Sequence, residues 1–149
     1  MPAARYNTEI QAPLSVVMET ITDFAAYPSF LPDMRSAEIL RQGDGVWEVR
    51  FGLSLIRELS YTLKLTQIGP NLLNWTLLEG AFRSNEGGWV LNPSDDGGRT
   101  TAEYRIDVSM STFVPGNILR SLVERGLPET LGRFKAEAER RARAQNNPV

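Results

Sequence analysis

The hydrophobic period of the chain changes twice, dividing it into a short mixed start, a long stretch of alternation and a helical end. Tyr6 to Gln11 alternate as a first strand and stop before Pro13, a residue suited to the first position of a helix. Leu14, Val17, Met18 and Ile21 then recur at three- and four-residue spacing, which is one apolar helical stripe. Asp23 starts a second short helix across Phe24, Tyr27 and Phe30, punctuated by Pro28 and Pro32. From Ala37 the period is two. Ala37 to Gln42 reads as a strand, and Gly43-Asp44-Gly45 can supply the positive φ of a tight hairpin. Trp47, Val49, Phe51, Leu53 and Leu55 share one face, opposite Glu48, Arg50, Gly52 and Ser54; Leu59, Tyr61, Leu63 and Leu65 repeat the pattern. Gly69-Pro70-Asn71 turns into Leu73, Trp75, Leu77 and Glu79, and Trp89 and Leu91 follow Gly87-Gly88. Beyond the polar loop Ser94 to Gly98, the residues Thr100, Ala102, Tyr104, Ile106, Val108 and Met110 form the inward row of a last strand.

After Pro115-Gly116 the period becomes helical, through Ile118, Leu119, Leu122, Val123, Leu127, Leu131, Phe134 and Ala138. Gly126 and Pro128 predict a kink or break, and Gln145 to Val149 a frayed tail. A strand, two short helices, a meander and a long amphipathic helix have one economical solution, an α+β fold over residues 1–149 whose curved antiparallel sheet wraps the last helix. Two short helices close only part of the rim, so the wrap leaves an apolar hollow.

Composition narrows the chemistry. With 149 residues, 42% of them hydrophobic and 23% charged, the chain suits one domain with a sizeable core. It contains no cysteine and no histidine, which removes disulfides, thiolate and serine triads and the usual zinc ligands; no metal and no cofactor is expected. A net charge of -2 argues against nucleic acid as a partner. Arg140, Arg141 and Arg143 read as cations complementing the negative end of the helix dipole rather than as a binding patch. Met1 to Val17 lacks the charged and apolar regions of a signal peptide, and no apolar run reaches the roughly 20 residues of a spanning helix. A cytoplasmic location is expected, compatible with transient membrane contact.

Ile10-Gln11-Ala12-Pro13, with Val17, Ile21, Asp23-Phe24, Tyr27-Pro28 and Phe30-Leu31-Pro32, resembles the start of START-like (SRPBCC) proteins of the polyketide cyclase/dehydrase and coenzyme Q-binding branch. Leu78-Glu79-Gly80-Ala81-Phe82, Gly87-Gly88-Trp89, Thr100 to Ile106 and Pro115 to Leu131 extend the likeness over nearly the whole chain. The resemblance implies a helix-grip, Bet v 1-like fold that binds or transports a hydrophobic small molecule such as a lipid, an isoprenoid quinone or a polyketide. Alternatives within it are a polyketide aromatase/cyclase and a protein-interaction role like that of the ribosome-association toxin family.

Trp47, Phe51, Tyr61, Trp75, Trp89 and Tyr104 are placed on the concave face. Each alone reads as core, but together they suit a pocket with an apolar body and a lightly polar lining. Leu55, Leu63, Leu77, Leu91 and Ile106, with Leu119, Leu122 and Val123 of the helix, complete the expected lining. Counting from Leu73 puts the Glu79 carboxylate on the same face, where it would accept a ligand hydrogen bond or act as a base; Gly80 breaking the register would instead leave it in solvent. Tyr61 and Tyr104 are the other catalytic candidates. Arg57 and Glu58 read as turn charges, Arg83, Asn85 and Glu86 as exposed loop polarity or a rim, and Gly52 and Gly88 as bulges.

Overall fold

The computed structural model describes residues 3–54, 58–80, 82–110 and 116–146, apart from the side chains of 110, 116–125 and 146. The alternating runs become seven strands, β1 (Ala3–Ile10), β2 (Met34–Gly43), β3 (Val46–Ser54), β4 (Glu58–Ile68), β5 (Leu72–Gly80), β6 (Phe82–Pro93) and β7 (Thr100–Met110). They form one curved antiparallel sheet in the order β1-β7-β6-β5-β4-β3-β2. Sequence neighbours pair throughout the meander, and β1 closes on β7 with Tyr6 opposite Tyr104. Between β1 and β2 the chain crosses from one edge of the sheet to the other through α1 (Leu14–Thr22), a 3-10 turn (Phe24–Ala26) and α2 (Tyr27–Phe30). The helical stripe after Pro115 becomes α3 (Gly116–Asn146), packed against β1, α1, α2 and β7.

The hairpin at Asp44-Gly45 has positive φ at both residues, 54° and 75°, the mirror-image turn whose twist matches its strands. Other local expectations shift. Pro13 lies one position before the helix, in extended conformation, and β6 begins at Phe82 instead of after the glycine pair. Gly52 and Gly88 are not bulges. The register shifts fall at Arg35 and Leu40 in β2, Leu78 in β5 and Arg83 in β6, each an extra residue that its partner strand does not match. Gly88 serves a different need, since a Cβ there would lie 2.4 Å from Asn74 Oδ1. Helix α3 runs unbroken through Pro128 and keeps Gln145 and Asn146. The proline removes one backbone hydrogen bond, while burial of Leu131, Phe134, Ala138 and Ala142 holds the turns beyond it.

The C-terminal half of α3 is also pinned by polar contacts. Arg141, its side chain 14% exposed, donates to Asp23 Oδ2 (3.0 Å) and to Glu137 Oε2 (2.8 Å), and lies 3.7 Å from Glu19. Glu139 Oε2 accepts from the Gln11 backbone N–H (2.9 Å) and from Lys135 Nζ (2.8 Å). Arg141 is therefore part of a helix-to-helix ion pair more than a dipole cap.

Hydrogen bonds from Arg140 and then Arg141 hold the Glu137 carboxyl down at about 2, against an ordinary 4.5. A depressed carboxyl contributes stability that is complete above its unfolded pKa and is lost as pH falls toward the folded one. The advantage of the wild type over Glu137→Gln is expected to be constant above pH 5 and to shrink between about pH 4.5 and 2. Screening at exposed Arg140 limits it to about 1 kcal/mol, or roughly 2–4 °C in melting temperature by calorimetry across that pH range. Gly80, at φ 128° with its absent Cβ 2.4 Å from Tyr61 Cα, tolerates no side chain. Gly80→Ala is expected to lower stability by about 2 kcal/mol or more in denaturant melts, where an unchanged midpoint would contradict the register at the β4–β5 bulge.

Candidate ligand-binding cavity

The inward rows of the strands present more apolar surface than the described side chains of α3 cover. The helix buries Leu131, Phe134, Ala138 and Ala142, whereas its turn at Gly126, Leu127, Glu129 and Thr130 faces open space. What remains is a cavity of about 550 Å³, within the roughly 300–1,000 Å³ usual for small-molecule sites. Phe51 and Leu53 of β3, Tyr61, Leu63 and Leu65 of β4, and Leu73 and Trp75 of β5 form one wall. Phe82, Asn85 and Trp89 of β6 and Tyr104, Ile106 and Val108 of β7 form the other; Tyr27, Leu31, Asp33 and Met34 close an end.

Aromatic rings run around this space in continuous contact. Trp75 lies 5.4 Å from Tyr104, which meets Trp89 at 4.9 Å, and Trp89 meets Phe134 of α3 at 5.2 Å. Phe134 contacts Tyr27 edge-on at 5.2 Å; Tyr27 stacks on Phe51, Phe51 tilts against Tyr61, and Tyr61 meets Phe82 at 4.9 Å. Edge-to-face and offset contacts of this kind fix the rings beyond what burial alone does. The wall is therefore stiff.

Few polar atoms enter. Burial raises the Tyr61, Tyr104 and Tyr27 phenols well above their ordinary value, with the Tyr104 hydroxyl adding to the shift at Tyr61 and Tyr27, so all three stay neutral. Tyr27 spends its proton on the Ile21 carbonyl. Asn85, 5% exposed, accepts a 3.0 Å hydrogen bond from Trp75 Nε1 on its Oδ1. Asp33 and Glu129 are the charged residues among the described lining, and no described lysine or arginine reaches it.

Among the residues expected from sequence, Phe51, Tyr61, Leu63, Trp75, Trp89, Tyr104 and Ile106 line the cavity. Trp47 does not: it packs edge-on against Phe24 of the 3-10 turn at 5.4 Å. Leu91, fully buried, and Leu77, packed against the core, also lie off the lining. Leu55 and Arg57 lie outside the described residues, as do the side chains of Leu119, Leu122 and Val123. Glu79 is exposed, because the extra residue Leu78 flips the strand and sets Glu79 opposite Thr62 on the outer face. Asn85, read from the sequence as exposed loop polarity or a rim, lies within a continuous β6, where it shares parity with Trp89. Tyr27 and Phe134 carry only a helical-stripe signal in the sequence, which says nothing of their meeting across the cavity.

A second depression, of about 590 Å³, is lined by Arg5, Asn74, Glu86, Arg105 and Asp107 on the face opposite Tyr104. It is an open, polar surface feature, and its arginines lie 3.5 and 4.0 Å from Glu103. The cavity between sheet and α3, with its largely apolar and aromatic lining, is the better ligand site.

Known proteins share this arrangement. An aromatase/cyclase from Streptomyces sp. R1128 superposes with a TM-score of 0.84 at 22% identity over 97% of each chain. A START superfamily protein from Mycobacterium smegmatis does so with a TM-score of 0.82 at 18% identity, over 93% of this chain and 97% of that one. A protein from Thermus thermophilus gives 0.81 at 21%, over 98% and 100%. At such identities the likeness establishes the helix-grip, START-like fold. Among curated protein sequences none matches significantly. Sequence nevertheless decides the family, because the model for polyketide cyclase/dehydrase and lipid transport proteins matches residues 10–135, most of the chain. The chain belongs to the polyketide cyclase/dehydrase and lipid-transport family.

Proposed function

We propose that this protein binds and carries an uncharged hydrophobic small molecule, an isoprenoid quinone, a neutral lipid or a polyketide-like compound, in the cavity between sheet and α3. The observation that carries the reading is the cavity of about 550 Å³ with an aromatic wall and no described basic residue in its lining. Apolar ligand surface entering it gains roughly 25 cal/mol per Å². A carboxylate would lose its hydration, find no cation, and meet Asp33 and Glu129. Neutral molecules are therefore favoured over fatty-acid anions.

The family's cyclising activity is the second reading. It needs a base to remove a proton next to a ketone. Tyr61 and Tyr104 are held neutral and supply donors instead, Glu79 faces away from the cavity, and the lining carboxylates Asp33 and Glu129 are exposed at its margin, Glu129 3.7 Å from Arg133. Carriage without conversion fits this lining better.

A short-chain ubiquinone titrated into delipidated protein is expected to quench tryptophan emission saturably, through Trp75 and Trp89, and to raise the melting temperature. Leu53→Trp combined with Ile106→Trp, which narrows the space, should keep the circular dichroism spectrum and weaken both responses at least tenfold. The reading fails if ubiquinone, a monoacylglycerol and a sterol all leave the folded wild type unchanged, or if the narrowed variant responds as the wild type does.

A further inference from the structure

We infer that the Asn85 side-chain amide is the ligand-orienting group of this cavity, donating from Nδ2 to a carbonyl oxygen of the bound molecule. The inference rests on the carrier reading above and adds to it the functional group that the ligand must present.

The orientation of the amide follows from its neighbour. An indole N–H only donates, so the atom of Asn85 that lies 3.0 Å from Trp75 Nε1 must be the oxygen. The nitrogen then points elsewhere, and no group among the described residues accepts from it. Asn85 is 5% exposed and lines the cavity, so the side open to this donor is the cavity itself. A ligand that enters displaces water from this donor, so a ligand oxygen in that place keeps the hydrogen bond and a hydrocarbon loses it.

The position is also held firmly. Trp75 is fixed by Tyr104 at 5.4 Å and lies over Gly87, where a Cβ would come within 2.8 Å of the indole. The β5–β6 ladder ends at the Trp75–Gly87 pair, two residues from Asn85. Along β6 Asn85 and Trp89 thus set a donor beside an aromatic floor, with the Trp75 indole seated over the glycine between them. A carbonyl conjugated to a flat ring system, as in a quinone or an aryl ketone, meets both features at once. A hydrocarbon chain meets only the floor, and a carboxylate finds one neutral donor too weak to replace its hydration.

The test uses two probes of the same shape, 2-acetylnaphthalene and its alkene isostere 2-isopropenylnaphthalene. Affinities for wild type and Asn85→Leu are measured by calorimetry. The ketone-to-alkene affinity ratio is expected to fall about threefold to tenfold on substitution, the range of one net hydrogen bond. In the wild type, the Asn85 side-chain Nδ2–H resonances in nitrogen-15 NMR should move downfield with the ketone and not with the alkene, a readout that stands even if Asn85→Leu does not fold. Binding of both probes with an unchanged ratio, or with amide resonances indifferent to the carbonyl, overturns the role of Asn85 and leaves the carrier reading intact. If neither probe binds folded wild type, the role of Asn85 falls, while the carrier reading is decided by the ubiquinone, monoacylglycerol and sterol titrations.

Discussion

The structure depends on a mismatch of areas: seven curved strands turn one continuous apolar face inward, and a single helix lies against it. Elsewhere in α+β proteins such a face is covered completely. Here, among the described side chains of α3, Leu131, Phe134, Ala138 and Ala142 are buried in its C-terminal half, and Arg141 and Glu139 tie that half to Asp23 and to the Gln11 backbone. The preceding turn, with Gly126 and Thr130, is left over the remainder of the sheet. A cavity results from where the helix is held.

An empty apolar space is unfavourable unless its walls resist collapse, because close packing is the ordinary state of an interior. The ring contacts from Trp75 to Phe82 supply that resistance. Each aromatic is fixed by a neighbour on a different element, so inward movement of one would break contacts at two places. Tyr27 is further fixed by its bond to the Ile21 carbonyl, which couples α2 to the end of α1. The same rigidity that keeps the space open makes it selective for shape.

The inward rows could be read from the sequence because alternation is a local property: Phe51, Tyr61, Leu63, Trp89, Tyr104 and Ile106 needed only a count of two. Bulges could not be read, because an unmatched residue is decided by two strands together. Leu78 shows the effect, since the shift there leaves it 48% exposed and carries Glu79 to the outer face. Trp47 and Leu91 share the parity of the lining but lie where the helical segment crossing between β1 and β2 covers the sheet, and parity does not distinguish packed from hollow. Asn85 carries a parity signal only once β6 is known to begin at Phe82, because the sequence pattern places the strand after the glycine pair and Asn85 in a loop. In β6 they remain extended and make room for Trp75 and Asn74.

The strand order has a consequence for assembly. Every pairing in the meander joins neighbours along the chain, so each hairpin closes a short loop at low entropic cost. The β1–β7 ladder differs, for it brings Ala3 to Asp107 and Ile10 to Thr100. Contacts of such sequence separation slow folding and reward it only after the long loop is closed. The Gln11–Glu139 bond and the buried Thr100 hydroxyl on the Ala12 carbonyl lie at this junction. The helix that covers the binding compartment is thus seated by contacts distant in the chain: a partly folded meander already pairs the strands that carry Trp75, Asn85 and Trp89, yet lacks the first strand, against which α3 packs.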